Sequence, residues 1–178
     1  KSIEELVFKK SKKIFLSSKW AIEDAKKFYP NFEKKFQLLP FGPNFSFEQK
    51  KDLVSKKIEE KNLEKLKLIT IGIDWKRKGI DKAISLTESL INMGVDTELT
   101  IIGSAPRKNI NKPYLKIYNL INKSNSGGEE MISKLFFDSH FNILFSEAEA
   151  FGVVLVEANM HGIPNIAFNV GGISEIVK

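Results

Sequence analysis

The stretch LKLITIGIDWKRKGIDKAISLTESLINMGVDTELTIIG, residues 66–103, decides the fold. Its two apolar runs, LKLITIG (66–72) and TELTIIG (97–103), are short, end in glycine and read as buried strands. Between them Ile80, Ala83, Ile84, Thr87, Leu90 and Ile91 recur at helical spacing, which predicts an amphipathic helix that stops at Gly94. Strand, helix, strand is the βα unit of a parallel sheet.

The alternation continues toward the C-terminus. YLKIYNLI (114–121) reads as a strand, SGGEEMISKLFFDS (126–139) as a helix with acids in its first turn, and FNILFS (141–146) as a strand. GVVLVEANMHG (152–162) reads as a helix closed by Gly162, NIAFN (165–169) as the last strand, and GGISEIVK as the opening of one more helix. About five strands alternate with helices after residue 65, which predicts an α/β fold with a Rossmann-like, doubly wound parallel sheet. Toward the N-terminus, KKIFLSS (12–18) and FQLLPF (36–41) read as short strands, and WAIEDAKKFY as a helix ended by Pro30. FEQKKDLVSKKIEEK (47–61) reads as a surface helix with a thin apolar stripe at Leu53, Val54 and Ile58.

Length and composition fit this reading. The 178 residues allow one domain and a piece of another, and a hydrophobic fraction of 42% supplies a real core. The chain carries 28 basic and 22 acidic residues, a net charge of +6, and every base except Arg77 and Arg107 is Lys. Lys is dispersed beside Glu along the helices, a pattern that disfavours nucleic acid as a partner. Cysteine is absent, which excludes disulfides, thiolate metal sites and cysteine nucleophiles and fits a reducing compartment. No apolar run approaches 18 residues, and the polar start KSIEELVFKK is not a signal peptide. A start at Lys1 and a stop inside ISEIVK suggest a piece of a longer protein.

Right-handed crossovers gather the C-terminal ends of the strands on one edge, where ligands bind such sheets. The loops expected there are GIDWKRKG (72–79), GSAPRK (103–108), SEAEAFG (146–152) and NVGG (169–172). A helix beginning near Phe151 would aim free N–H groups at the crevice, a ready phosphate site. Glu149 and Glu157 flank that start. At ~1.5 Å per residue their eight-residue step spans on the order of 12 Å if helical throughout, beyond the roughly 5 to 10 Å of paired hydrolytic carboxylates. They suit the two ends of one long ligand, with Glu157 accepting from vicinal ribose hydroxyls. On spacing alone another reading stands beside this one: Glu149 as a first-turn acid answering the helix dipole, and Glu157 as a solvated side chain.

Arg77 and Lys78, adjacent at a strand-to-helix loop, suit a diphosphate, Arg by bidentate contact and Lys as a point charge. No G-x-x-x-x-G-K-[ST] loop occurs, nor a G-x-G-x-x-G after a strand, so an NTPase loop is excluded and NAD is disfavoured. Gly171 and Gly172 form either an anion nest or an ordinary tight turn. His161, just before Gly162, reads as a helix C-terminal residue.

In order, these elements resemble the donor-binding half of family 4 glycosyltransferases, the retaining GT-B enzymes. EAFGVVLVEANMHGIPNIAFNVGGISEIV resembles the family's E-x7-E segment, its G-x-P and its Gly-Gly-x-x-Glu turn. IGIDWKRKGID resembles its strand, Gly, loop and Lys-Gly element, and KKIFLSSKW with LLPFGPNF resembles the crossing from the acceptor-side domain. The resemblance implies a division of the chain into 1–34, the tail of an acceptor-side domain, and 35–178, the donor domain. It implies that Arg77 and Lys78 hold a diphosphate, that Glu157 holds the ribose, and that Glu149 is the catalytic residue at the transferred sugar. Phe151, Gly152, Val153, Gly171 and Gly172 would complete the donor site. The implied donor is a nucleotide sugar, UDP- or GDP-linked, used without a metal or other cofactor; the implied acceptor is a glycan or lipid-linked molecule held by the other domain. The implied setting is the cytoplasm, with peripheral membrane contact by the full-length protein. Whether Glu149 is a nucleophile or supports a front-face ion pair stays open.

The chain departs from the pattern at Ile73, where many relatives have Arg, and at Leu120, Ile121 and Asn122, which leave the base undefined. With the active site between two domains, this chain alone is expected to bind donor and not to turn over. A non-catalytic binding module of the same fold and a sugar-nucleotide epimerase are the alternatives, whereas a phosphorylase would need a pyridoxal-phosphate lysine for which no motif is present.

Overall fold

A computed structural model of the protein describes residues 3–103 and 110–178, so Arg107 and the rest of GSAPRK beyond Gly103 lie outside the described residues. The chain begins with α1 (Ile3–Lys10), β1 (Ile14–Leu16) and α2 (Lys19–Phe28). Helix α2 starts where Ser18, in extended backbone, accepts the N–H of Ala21 at 3.0 Å. It ends at Tyr29 because the next residue, Pro30, disfavours helical backbone before it, and a short 3-10 helix (Pro30–Lys35) takes over. Lys35 folds back on the C-terminus of α1, donating to the Phe8 and Ser11 carbonyls at 2.7 and 2.8 Å, where a cation answers the helix dipole.

Strand β2 (Phe36–Leu38) pairs in parallel with β1, Ile14 opposite Phe36. The ladder therefore crosses the 34/35 boundary expected from the sequence, and β2 stands with the N-terminal elements. Composition locates a strand but not its neighbour, which is why only the pairing reveals this.

The remainder is α3 (Lys51–Glu59), β3 (Leu66–Gly72), α4 (Ile80–Asn92), β4 (Thr97–Gly103), β5 (Leu115–Asn119), α5 (Gly128–Asp138), β6 (Phe141–Leu144), α6 (Val153–Met160), β7 (Asn165–Ala167) and a 3-10 turn, Ile173–Glu175. The strands form one parallel sheet in the order β5-β4-β3-β6-β7. The chain winds from β3 outward to β5, then returns across the sheet to β6 and β7, so the order reverses between β3 and β6. That reversal opens a crevice at the C-terminal ends of β3 and β6.

Alternation along the strands feeds both faces. Leu68, Leu99, Ile101 and Ile143 pack with Ile80, Ala83 and Ile84 of α4 on one side. Ile69 and Ile102 pack with Ile132 and Phe136 of α5 and Ala158 of α6 on the other. Burying each Leu or Ile contributes about 1.5–3 kcal/mol. At the end of β3 and β4 two glycines sit in register, Gly72 opposite Gly103, and a Cβ on Gly103 would lie 2.0 Å from the Gly72 carbonyl oxygen.

Two expectations shift at their edges. The last segment forms only a 3-10 turn, and α6 begins at Val153, two residues after Phe151, because Gly152 in the left-handed region (φ 89°) caps it. Among the described residues no helix is long and apolar enough to cross a membrane.

Candidate functional site

The two loops that flank the crevice converge. After β3, Asp74 accepts the backbone N–H of Arg77 at 3.1 Å on its side chain and that of Lys78 at 2.9 Å on its carbonyl, a tight turn that delivers both cations. Gly79, at φ 67°, then starts α4 so close to β6 that a Cβ would lie 2.1 Å from the Phe145 carbonyl oxygen. The loop after β6 docks on it through the Glu147 N–H, which donates to the Arg77 carbonyl at 2.8 Å.

Glu149 is the centre of this contact. Lys78 Nζ lies 2.5 Å from its Oε2, Arg77 Nη1 lies 3.6 Å away, and the Ser146 hydroxyl lies 3.4 Å away. Lys78 and Glu149 side chains are each only 14% exposed, whereas Arg77, at 43%, spans from Asp74 to the Ala148 carbonyl. Gly72 makes room for this: a Cβ there would stand 2.5 Å from Lys78 Cγ. Glu149 lies four residues before α6, so it is not a first-turn acid, and residues 149–152 are not helical, so the helical-rise spacing to Glu157 does not apply.

Glu157 is not solvated either. It is buried at 6% exposure, with Lys123 Nζ 2.5 Å from its Oε1 and the Asn44 N–H donating to the same oxygen at 3.2 Å. Lys123 also donates to the Asn44 carbonyl at 2.8 Å and sits 4.0 Å from the centre of the Phe45 ring. The 42–46 segment is thus drawn across α6, and Glu129 holds it further by accepting from Ser46, a bond that lowers the Glu129 pKa. Phe151 is buried with its ring edge-on to Phe41, centroids 5.6 Å apart. Helix α6 opens at Val153 with no side-chain cap on its N-terminal N–H groups.

Gly171 and Gly172 lie against the same loop. The Gly172 N–H is committed to the Glu149 carbonyl at 3.1 Å, so it is not free in an anion nest, and the pair instead permits close approach. Cβ atoms at these positions would lie 1.9 Å from the Glu149 carbonyl oxygen and 2.3 Å from that of Ala150.

His161 closes α6 as expected and is fully buried. Its Nδ1 stands 2.7 Å from the Glu157 carbonyl, its Nε2 accepts from Ser133 and Gln49, and it stacks on Phe136. Burial lowers its pKa, so the neutral ring is the form that holds Glu157's own backbone.

Sequence reading missed Lys123, Asn44 and Ser18, and noted Glu175 only as the acid of the Gly-Gly-x-x-Glu turn, without a role. Lys123 follows Asn122 in the loop after β5, on the same sheet edge, and the topological rule that selected the other loops also selects this one. A cavity of about 640 Å³ lies elsewhere, beside Lys67 at the start of β3 and His140 just before β6, and includes none of these residues.

The fold and crevice define a Rossmann-like α/β domain of the GT-B type, with charged loops at its switch point. The chain belongs to the glycosyl transferases group 1 family, whose model matches residues 52–178. It is 27% identical over 178 residues to the lipopolysaccharide glucosyltransferase WaaG of Escherichia coli (94% of this chain, 46% of that protein). It is 26% identical over 138 residues to the sulfoquinovosyl transferase SQD2 of Arabidopsis thaliana (77% of this chain, 25% of that protein). The fold matches the crystal structure of the pneumococcal O-GlcNAc transferase GtfA in complex with UDP and GlcNAc, with a TM-score of 0.70, 18% identity, and coverage of 96% of this chain and 33% of that one. The chain thus spans less than half the length of these relatives.

Proposed function

We propose that this chain is the donor-binding half of a retaining glycosyltransferase that takes its sugar from a UDP- or GDP-linked donor. The observation that carries the reading is the meeting of Lys78, Arg77 and Glu149 at the switch point, beside the N-terminus of α6. A diphosphate entering there finds two cations and the helix N–H groups, the arrangement that neutralises a departing diphosphate. The phosphates take over Lys78 and Arg77, and Glu149, released from them, faces the transferred sugar. Glu157, steadied by Lys123 and the Asn44 N–H through Oε1, keeps Oε2 for the ribose hydroxyls. Phe151, Gly152 and Val153 form the wall between the two acids, and Gly171 and Gly172 let the loop seat closely behind it.

No step in this scheme needs a metal ion or another cofactor. The acceptor is a glycan or lipid-linked molecule held outside residues 35–178, a reading in keeping with the lipopolysaccharide glucosyltransferase among the relatives, and the full-length protein works in the cytoplasm with peripheral membrane contact. Calorimetric titration of the chain with UDP, GDP and ADP tests the reading. Saturable binding of UDP or GDP, weakened at least tenfold by Lys78→Ala, supports it; no binding of any of the three at millimolar ligand overturns it. In a full-length protein carrying this chain, Glu149→Ala abolishes sugar transfer and leaves nucleoside diphosphate binding.

A further inference from the structure

Helix α2 has no acid in its own first turn, yet its N-terminus is fully furnished. The backbone N–H groups of Lys19 and Trp20 donate to the two carboxylate oxygens of Glu175, each at 3.0 Å, from more than 150 residues away in sequence. Ser18, fully buried, does two things with one hydroxyl: it accepts from the Ala21 N–H at 3.0 Å and donates to the Ala150 carbonyl at 2.7 Å. On the other side of that carbonyl, Glu149's own carbonyl accepts the Gly172 N–H. The backbone that carries Glu149 is therefore held at two successive peptide groups, by Ser18 and by Gly172. Gly172 is packed so tightly between them that a Cβ would lie 2.7 Å from the Ser18 side chain.

We propose that Ser18 and Glu175 are positioning residues for Glu149: together they lock the N-terminus of α2 onto the loop that sets where the Glu149 carboxylate stands relative to Lys78. This rests on the donor-site reading above. The helix cap alone does not explain the arrangement. Capping α2 requires only an acceptor, which an Asp carboxylate supplies as well, whereas the bond to Ala150 requires the same side chain also to donate, in a space closed by Gly172. Nor does dipole compensation require a carboxylate borrowed from the turn that follows Gly171 and Gly172; an acid in the first turn of α2 meets that need locally. The link joins the β1–β2 unit, to which α2 belongs, with the crevice of the five-stranded sheet, so a displacement of that unit is felt first at Ala150.

The test uses Ser18→Gly, since glycine is tolerated at an N-cap nearly as well as serine but donates no side-chain hydrogen bond. Hydrogen exchange on the intact chain is expected to speed up at least tenfold at residues 150–152 and 172, with the β3 and β4 amides unchanged. Glu175→Gln is expected to do the same and also to expose the Lys19 and Trp20 amides, and Glu175→Asp to restore part of the protection. In a full-length protein carrying this chain, both Ser18→Gly and Glu175→Gln lower kcat at least tenfold while the donor KM stays within about twofold. Unchanged exchange at 150–152 in both variants overturns the proposal, as does a loss of thermal stability with kcat intact. Failure of the wild-type chain to bind any nucleotide counts against the donor-site reading instead, and the exchange comparison then still decides whether the link holds the loop.

Discussion

Lys78 and Glu149 make an ion pair across the switch point of the sheet, Nζ to Oε2 at 2.5 Å, with both side chains largely shielded from water. On the donor-site reading proposed above, a phosphate would take the acid's place at Lys78 and a sugar's hydroxyls the cation's place at Glu149. Removing either partner leaves a shielded charge uncompensated, which costs more than an exposed pair would. Lys78→Ala is expected to reduce stability by about 1–3 kcal/mol in urea denaturation, and Arg77→Ala, more exposed and still tethered elsewhere, by less than about 1 kcal/mol. Equal losses for the two variants would mean that the pair is not the anchor described here.

The two glycines of the NVGG loop are held for steric reasons, and this is measurable. Gly171 has φ 57° and no room for a Cβ, so Gly171→Ala meets both backbone strain and the Glu149 carbonyl. Gly94 also has a left-handed φ, 87°, but open space around it. Gly94→Ala is expected to cost about 1–2 kcal/mol and Gly171→Ala clearly more, on the same chain and by the same denaturation. Comparable values would show that the loop shifts freely.

Lys123 is expected to matter for Glu157 through charge and placement together. Lys123→Met keeps much of the apolar stem and leaves the buried Glu157 with only the Asn44 N–H. UDP or GDP affinity in calorimetry is expected to fall about tenfold, while Lys134→Met, on the exposed side of α5, leaves it unchanged. Unaltered affinity in the Lys123 variant would remove it from the donor site.

Histidine sets an acid limit on stability. His161 and His140 both have pKa values lowered by burial from the ordinary 6.5, so the folded state resists protonation that the unfolded chain accepts. Stability is complete above pH 6.5 and falls as the pH drops below it, until the folded histidines themselves take up protons. Thermal melts between pH 8 and 5 are expected to show this decline, and His161→Gln to flatten it. A melting temperature that is level across the range would contradict the buried neutral ring.

Much of the frame was legible because βα units repeat a simple signal. LKLITIG and TELTIIG mark the two strands at the middle of the sheet, and the apolar spacing from Ile80 to Ile91 marks the helix between them. Gly-ended strands and the loops after them then point to Arg77, Lys78 and Glu149 without any coordinates. What escaped was pairwise. Nothing local tells that Phe36–Leu38 pairs with Ile14–Leu16, that Lys123 reaches Glu157, or that Glu175 serves a helix beginning at Lys19. Such partners are chosen by the folded geometry, and residue type at either end constrains them weakly. Glu157 shows the limit: a glutamate on a helix after an apolar run reads equally well as solvated, and only its burial beside a lysine from a distant loop separates the two readings.

Gly72 and Gly103 end neighbouring strands at the same level, and the space that a Cβ on Gly72 would fill is taken by the stem of Lys78. Any larger residue at Gly72 would push that stem aside, so the lysine's reach toward Glu149 depends on a position that carries no functional group of its own. The charge and the room it stands in are thereby encoded by different residues.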